Sequence, residues 1–353
     1  MQLAWKEDWP ECRQRLSAWW EGDAIDRAAI LLVTRDRVVD PIVAPPTLEE
    51  RWTDIDYFLR RNEAGSSFYY AGESIPSVFP NLGPGVSAAY MGSSITFEPS
   101  TCWFEQIVED WDEFEYKITP DNRWWEHTKK MTQAAVDAGE GRYFVAHSDI
   151  GGPTDILSLL RGPDKLCIDL LERPEAVVRA RIEVTKLWFH VYEKLYEIVN
   201  ARMEGSCSWM GIWHPGKTYP LQCDFSCMIS PELFQKYVLP ELVEQAKFLD
   251  RTIYHLDGPG AIKHLDALLA APEIDGIQWV PGAGEKMAVH WIPMLKKIQK
   301  AGKLVLCSAF AADARTLLEE LSPRGLILSV GGVETREEAD EMIAYARKVA
   351  SDK

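Results

Sequence analysis

The sequence predicts an α/β protein of the (β/α)8 TIM-barrel class, and three observations carry that expectation. Eight short β-rich runs recur along the 353 residues, and from about residue 142 onward amphipathic helical patterns separate them. Most of these runs are apolar nearly throughout rather than alternating, as strands buried on both faces are, which implies a parallel sheet beneath a layer of helices. Eight such units at this length suit a closed barrel better than an open doubly wound sheet.

The strand candidates, in order, are RAAILLV (27–33), SFYYAG (67–72), RYFVAHSD (142–149), CSWMGIWH (207–214), TIYHLD (252–257), GIQWVP (276–281), KLVLCSA (303–309) and GLILSVGG (325–332). Helical patterns cover roughly 163–201, 231–249, 260–271, 288–301, 311–321 and 335–350. Ser230 stands where an N-cap belongs and Pro231 at the first helical position, while Pro240 predicts a kink or a split in that helix. Thr335 and Glu338 have capping-box spacing ahead of the last helix. The chain reads as one barrel domain over 1–353, with a helical N-terminal extension over 1–26. Residues 73–141, rich in Pro, Gly and Ser at their start, form an excursion after the second strand that lines or covers the barrel mouth, with Glu73 and Asn81 facing in.

Composition narrows the class of partner. A formal charge of −16 with no lysine-arginine cluster argues against nucleic acid and against an anionic membrane surface. No apolar run reaches eighteen residues, and the N-terminus lacks a signal pattern, so no membrane span or export is expected. Seven Cys without framework spacing fit a reducing cytoplasm. The expected protein is cytoplasmic and acts on a small molecule; its oligomeric state is left open. Fourteen Trp are mostly core packing, with one or two available as flat platforms at a ligand site.

In a barrel of this kind ligands meet the C-terminal ends of the strands. Those ends supply Glu73, His147, Asp149, Trp213, His214, His255, Asp257, Trp279 and Cys307. His255 and Asp257 are two apart on one strand and so share a face. Gly258 and Gly260 behind them leave the space beyond open. With Cys307 from a later strand they make a zinc set with a fourth position for water or substrate. Cys223 and Cys227, either side of Asp224, read as core or loop packing, and His264 as structural. His127, His190 and His290 lie on helical stretches and take no role.

Three stretches resemble the uroporphyrinogen decarboxylase superfamily, which includes corrinoid-linked and coenzyme M methyltransferases. They are DIGGPTDILSLLRG (149–162) with LLERPEAV (170–177), DFSCMISPELFQKYVLPELVEQ (224–245) and YHLDGPG (254–260), and the resemblance covers roughly 140–350. It implies the barrel independently. The decarboxylases' Arg-Gln-Ala-Gly-Arg motif is missing, and SVGGVE stands where they carry Gly-His-Gly, so decarboxylation of a porphyrinogen is not expected. The zinc methyltransferase branch uses His-x-Cys and a later Cys; the matching positions here are His255, Asp257 and Cys307, with a carboxylate replacing one thiolate.

Two chemistries follow. The first is methyl or alkyl transfer assisted by zinc on His255, Asp257 and Cys307, with a corrinoid protein as partner. The second is metal-free acid–base chemistry, hydrolysis or elimination, on a sugar-like or polyol substrate. Glu73, Asp149, His214 and Asp257 are the candidate catalytic groups overall, and Asn81, His147, Trp213 and Trp279 the candidate substrate contacts.

Overall fold

The computed structural model describes residues 2–352. The strands that organise it are β1 (Ala29–Arg35), β2 (Phe68–Gly72), β3 (Ser77–Val78), β4 (Phe144–Val145), β5 (Thr218–Gln222), β6 (Arg251–Asp257), β7 (Gly276–Val280), β8 (Leu304–Phe310) and β9 (Leu326–Gly331). Seven of them form one sheet in the order β2-β1-β9-β8-β7-β6-β5. All neighbours in it are parallel except β2, which runs antiparallel to β1. β3 and β4 make a separate parallel pair.

The expected eight-stranded ladder therefore does not close among the described residues. The run over 207–214 is not a barrel strand but a hairpin, Ser206–Cys207 against Trp213–His214. It bridges the two sheets: the His147 amide donates to the Cys207 carbonyl at 2.9 Å, and the Thr218 amide donates to Ser206 Oγ at 2.9 Å. The strand that follows it, β5, is not among those the sequence predicts. Pro220 sits in its middle, which argues against a central strand. It is tolerated because β5 is the edge of the seven-stranded sheet.

Side chains divide cleanly between the two faces of this curved sheet, as period-two geometry requires. Ile30, Leu32, Tyr254, Leu256, Ile277, Trp279, Val305, Cys307 and Leu328 pack outward with helical residues such as Trp188, Leu242, Leu295 and Leu317. Ala29, Leu31, Phe144, Ile253, Leu304, Leu306 and Ile327 point inward and meet in a second core. The N-terminal helix, Trp9–Trp20, fills the bottom of that inner core with Trp9, Leu16, Trp19 and Trp20. Trp20 Nε1 donates to the Trp213 carbonyl at 2.9 Å, and Trp9 meets the Trp213 ring edge-on at 5.1 Å.

The excursion is more ordered than its composition suggests. It holds β3, a helix at Val86–Tyr90, a hairpin at Ile95–Phe97 and Cys102–Phe104, and a long helix at Arg123–Gly139 capped by Asn122. The helix containing Pro240 is broken as expected. It starts at Pro231–Leu233 under the Ser230 cap, widens to a π-turn over Phe234–Val238, and resumes at Leu239–Phe248. The Thr335–Glu338 capping box forms. No helix among the described residues is long and apolar enough to cross a membrane.

Candidate functional site

β6 carries the site. Ile253 lies in the inner core, so His255 and Asp257, at the same parity, continue up the inner face toward the strand's C-terminal end. In register with His255 stands Gln222 of β5 on one side and Gln278 of β7 on the other. His255 Nδ1 lies 2.6 Å from Gln278 Oε1, and the Trp209 ring meets the imidazole edge-on at 5.1 Å and 90°. Two residues beyond Gln222 comes Asp224. Its carboxylate, His255 and Asp257 each offer a ligand atom, all within 4.8 Å of one another. Tetrahedral zinc holds neighbouring N and O donors about 3.4 Å apart. These three side chains thus need only a modest closure to share a cation.

Asp224 owes its position to a short helical turn, Asp224–Met228, pinned from three sides. Asp155 Oδ1 accepts from the Phe225 amide at 2.9 Å, His264 Nε2 lies 2.8 Å from the Ser226 carbonyl, and Lys263 donates to the Cys227 carbonyl at 2.8 Å. The glycine pair of GGPTD explains itself here. A Cβ on Gly152 would fall 2.2 Å from the Gln222 carbonyl, so only glycine lets the turn at 149–152 lie against the end of β5.

Carboxylates crowd this end of the sheet. Loss of solvent raises the Asp224 carboxyl above its ordinary value, and the like charge of Asp257 adds to the rise against the attraction of His255. Asp149 is pushed up to about 7, chiefly by burial and also by Asp224, while hydrogen bonds from the Gly151 amide at 3.1 Å and Tyr219 Oη at 3.4 Å oppose the shift. It thus keeps a proton near neutrality within the field of Asp224. Asn81 belongs to the same end, half-buried, with its Oδ1 accepting from the Gly83 amide at 3.1 Å. The adjacent Pro80 carbonyl accepts from Ser148 Oγ at 2.7 Å.

The remaining expected residues lie elsewhere, each for a physical reason. Glu73 follows an antiparallel strand and so emerges at the opposite end, fully buried. There it accepts two bonds from Arg27, at 2.7 and 2.9 Å, and one from the Ile30 amide. Cys307 points outward into the helix-facing core, and burial pushes its thiol up to about 12, far from the thiolate a metal needs. Trp279 is on the same outer face, against Trp291 at 5.0 Å. Trp213 is buried in the inner core over the N-terminal helix. His214 sits beside it, accepting at Nδ1 from the Gly216 amide at 3.0 Å and edge-on to Trp20. His147 is buried and stacked on Tyr192 at 4.7 Å, its pKa lowered to about 3 by burial. A cleft of about 730 Å³ between Ala24–Arg27 and Ser322–Arg324 holds none of the site residues; in the triad Asp224 and Asp257 are exposed and His255 is half-buried.

No family model matches the chain, and no curated protein does. A solved structure, a methyltransferase from Methanosarcina mazei, is similar over 96% of this chain and 98% of its own, with a TM-score of 0.62 and 12% identity. The likeness is one of fold. The sequence pointed to His255, Asp257 and Asp149 but missed Asp224 and Gln278. A lone Gln inside the apolar run GIQWV was the available signal for the second; Asp224 was hidden because β5 was.

Proposed function

We propose that this chain is an enzyme acting on a small molecule, transferring a methyl or alkyl group with the help of a divalent metal, zinc by preference, held by Asp224, His255 and Asp257. The convergence of those three donors at the ends of neighbouring parallel strands carries the reading. Imidazole suits zinc, as it does iron, copper and nickel, and oxygen ligands are compatible with zinc. The fold shared with a methyltransferase supports it, as does the resemblance of residues 140–350 to the uroporphyrinogen decarboxylase superfamily. On this reading the curved sheet and the β3–β4 pair are the wall of a (β/α)8 barrel forming a single domain, and a corrinoid protein is the methyl-carrying partner.

The metal would supply Lewis acidity, lowering the pKa of a thiol acceptor or drawing charge from the leaving oxygen of a methyl donor. The protein's own groups do the rest. Asp224 and Asp257 balance a doubly charged ion, so substrate meets a site close to neutral. His255 is held in one orientation by Gln278 and Trp209. Asp149, protonated until about pH 7, can hand a proton to a leaving oxygen. Asn81 offers its amide to substrate from the neighbouring turn.

Purified protein should carry one zinc ion per chain, and His255→Ala should remove metal and methyl transfer together while the fold persists. Folded protein that takes up no divalent ion would sink the metal reading. The raised Asp149 beside Asp224 would then favour the second one, acid–base chemistry on a sugar-like or polyol substrate.

A further inference from the structure

We infer that Gln278 is a positioning residue that fixes the tautomer of His255 and leaves its Nε2 free for a cation shared with Asp224 and Asp257; this deepens the metal reading above and rests on it. An amide oxygen can only accept a hydrogen bond, so the arrangement with Gln278 Oε1 2.6 Å from His255 Nδ1 is the one that puts the proton on Nδ1. In the neutral ring that leaves the lone pair on Nε2, free to take a metal ion. The contact is built into the sheet: His255 and Gln278 are register partners on adjacent strands, both on the inner face. The Trp209 ring, perpendicular to the imidazole, stops it from turning away.

The choice of an amide has a physical consequence. Metal-binding histidines commonly donate their second N–H to a carboxylate or a carbonyl. Asp224 and Asp257 already place their carboxylates within 4.8 Å of the His255 ligand atom at this end of the sheet. A further carboxylate at 278 would add charge repulsion where two carboxylates already balance the ion. Gln278 orients the ring and adds none.

Two measurements test the assignment. In metal-free protein labelled with 15N-histidine, above the imidazole pKa, wild-type His255 should be the Nδ1–H tautomer, and Gln278→Leu should move it toward the Nε2–H form preferred in free imidazole side chains. In zinc competition against a chromophoric chelator, Gln278→Leu should weaken affinity roughly 10–100-fold. Gln278→Glu, which keeps the acceptor, should stay within a few-fold of wild type at neutral pH and shift the pH midpoint of zinc uptake. A merely structural role would change neither the tautomer nor that pH profile. An unchanged tautomer in Gln278→Leu, or equal zinc affinity in Leu and wild type, overturns the inference. Wild-type protein that binds no zinc sinks the metal reading instead, and the tautomer result still decides what Gln278 does.

Discussion

At the scale of single residues, the buried carboxylates separate into those that folding neutralises and those it pairs. Glu73 is paired: Arg27 meets it with both terminal nitrogens, and the side chains are 0% and 2% exposed. Removing one member of such a pair costs about 3–5 kcal/mol, because a buried charge is left alone. Glu241 has a different fate. Its carboxylate accepts from the Thr154 amide and hydroxyl, yet burial outweighs those bonds and the pull of Arg181, and raises its pKa from 4.5 to about 7. Between those values the folded chain holds a proton that the unfolded chain has released, so stability falls as pH rises through that window. The slope reaches at most about 1.4 kcal/mol per pH unit and vanishes outside the window. Glu241→Gln should flatten it, seen as a smaller difference between urea midpoints at pH 5 and pH 7.5. Asp26 acts in the reverse sense and at lower pH: against the upward push of partial burial, Arg15 and Arg347 together bring it from 3.8 to about 2, so its contribution is lost only as pH falls through that range. An unchanged pH dependence in Glu241→Gln would show that this carboxyl ionises in the fold.

At the scale of elements, what the sequence disclosed depended on whether a strand was buried on both faces. β6 to β9 are, and their apolar runs could be read almost to the residue. β5 was missed because an edge position lets it carry Pro220, and with it went the placement of Asp224. β2 was seen, but its direction was not: apolar content says nothing of polarity, so Glu73 was assigned to the wrong end. Cys307 was misassigned by one position of parity, since it is the alternate residues Leu304 and Leu306 that face inward. These corrections have a direct test. Asp224→Asn should reduce zinc affinity by more than the roughly 10–100-fold typical of outer-sphere changes. Cys307→Ser should leave it unchanged and lower stability modestly, as a polar group replaces a packed thiol. Zinc loss in the cysteine variant, with Asp224→Asn silent, would restore the original ligand set.

At the scale of the molecule, the two ends of the inner face do different work. One end gathers polar side chains, with Asp224 and Asp257 exposed; the other is sealed by the N-terminal helix, whose tryptophans fill the space beneath the inner face of the sheet. This explains much of the unusual tryptophan content without a ligand: Trp9 packs edge-on to Phe144 at 4.9 Å and to Trp213 at 5.1 Å, and Trp19 against Trp20 at 4.6 Å. Large rings suit a plug because one helix must fill space reached by inward residues of β1, β4, β6, β8 and β9. Trp9 is 1% exposed, and its truncation leaves a cavity that neighbouring strands cannot close without bending the sheet. Trp9→Ala should therefore cost about 3–5 kcal/mol, read from urea unfolding. Zinc affinity should not change, because His255 and Asp257 sit at the far end of β6, where Gln278 and Trp209 hold the imidazole. If zinc affinity fell along with stability in that variant, the plug and the mouth would be mechanically coupled through β6, and the site would depend on the whole sheet instead of on its own end.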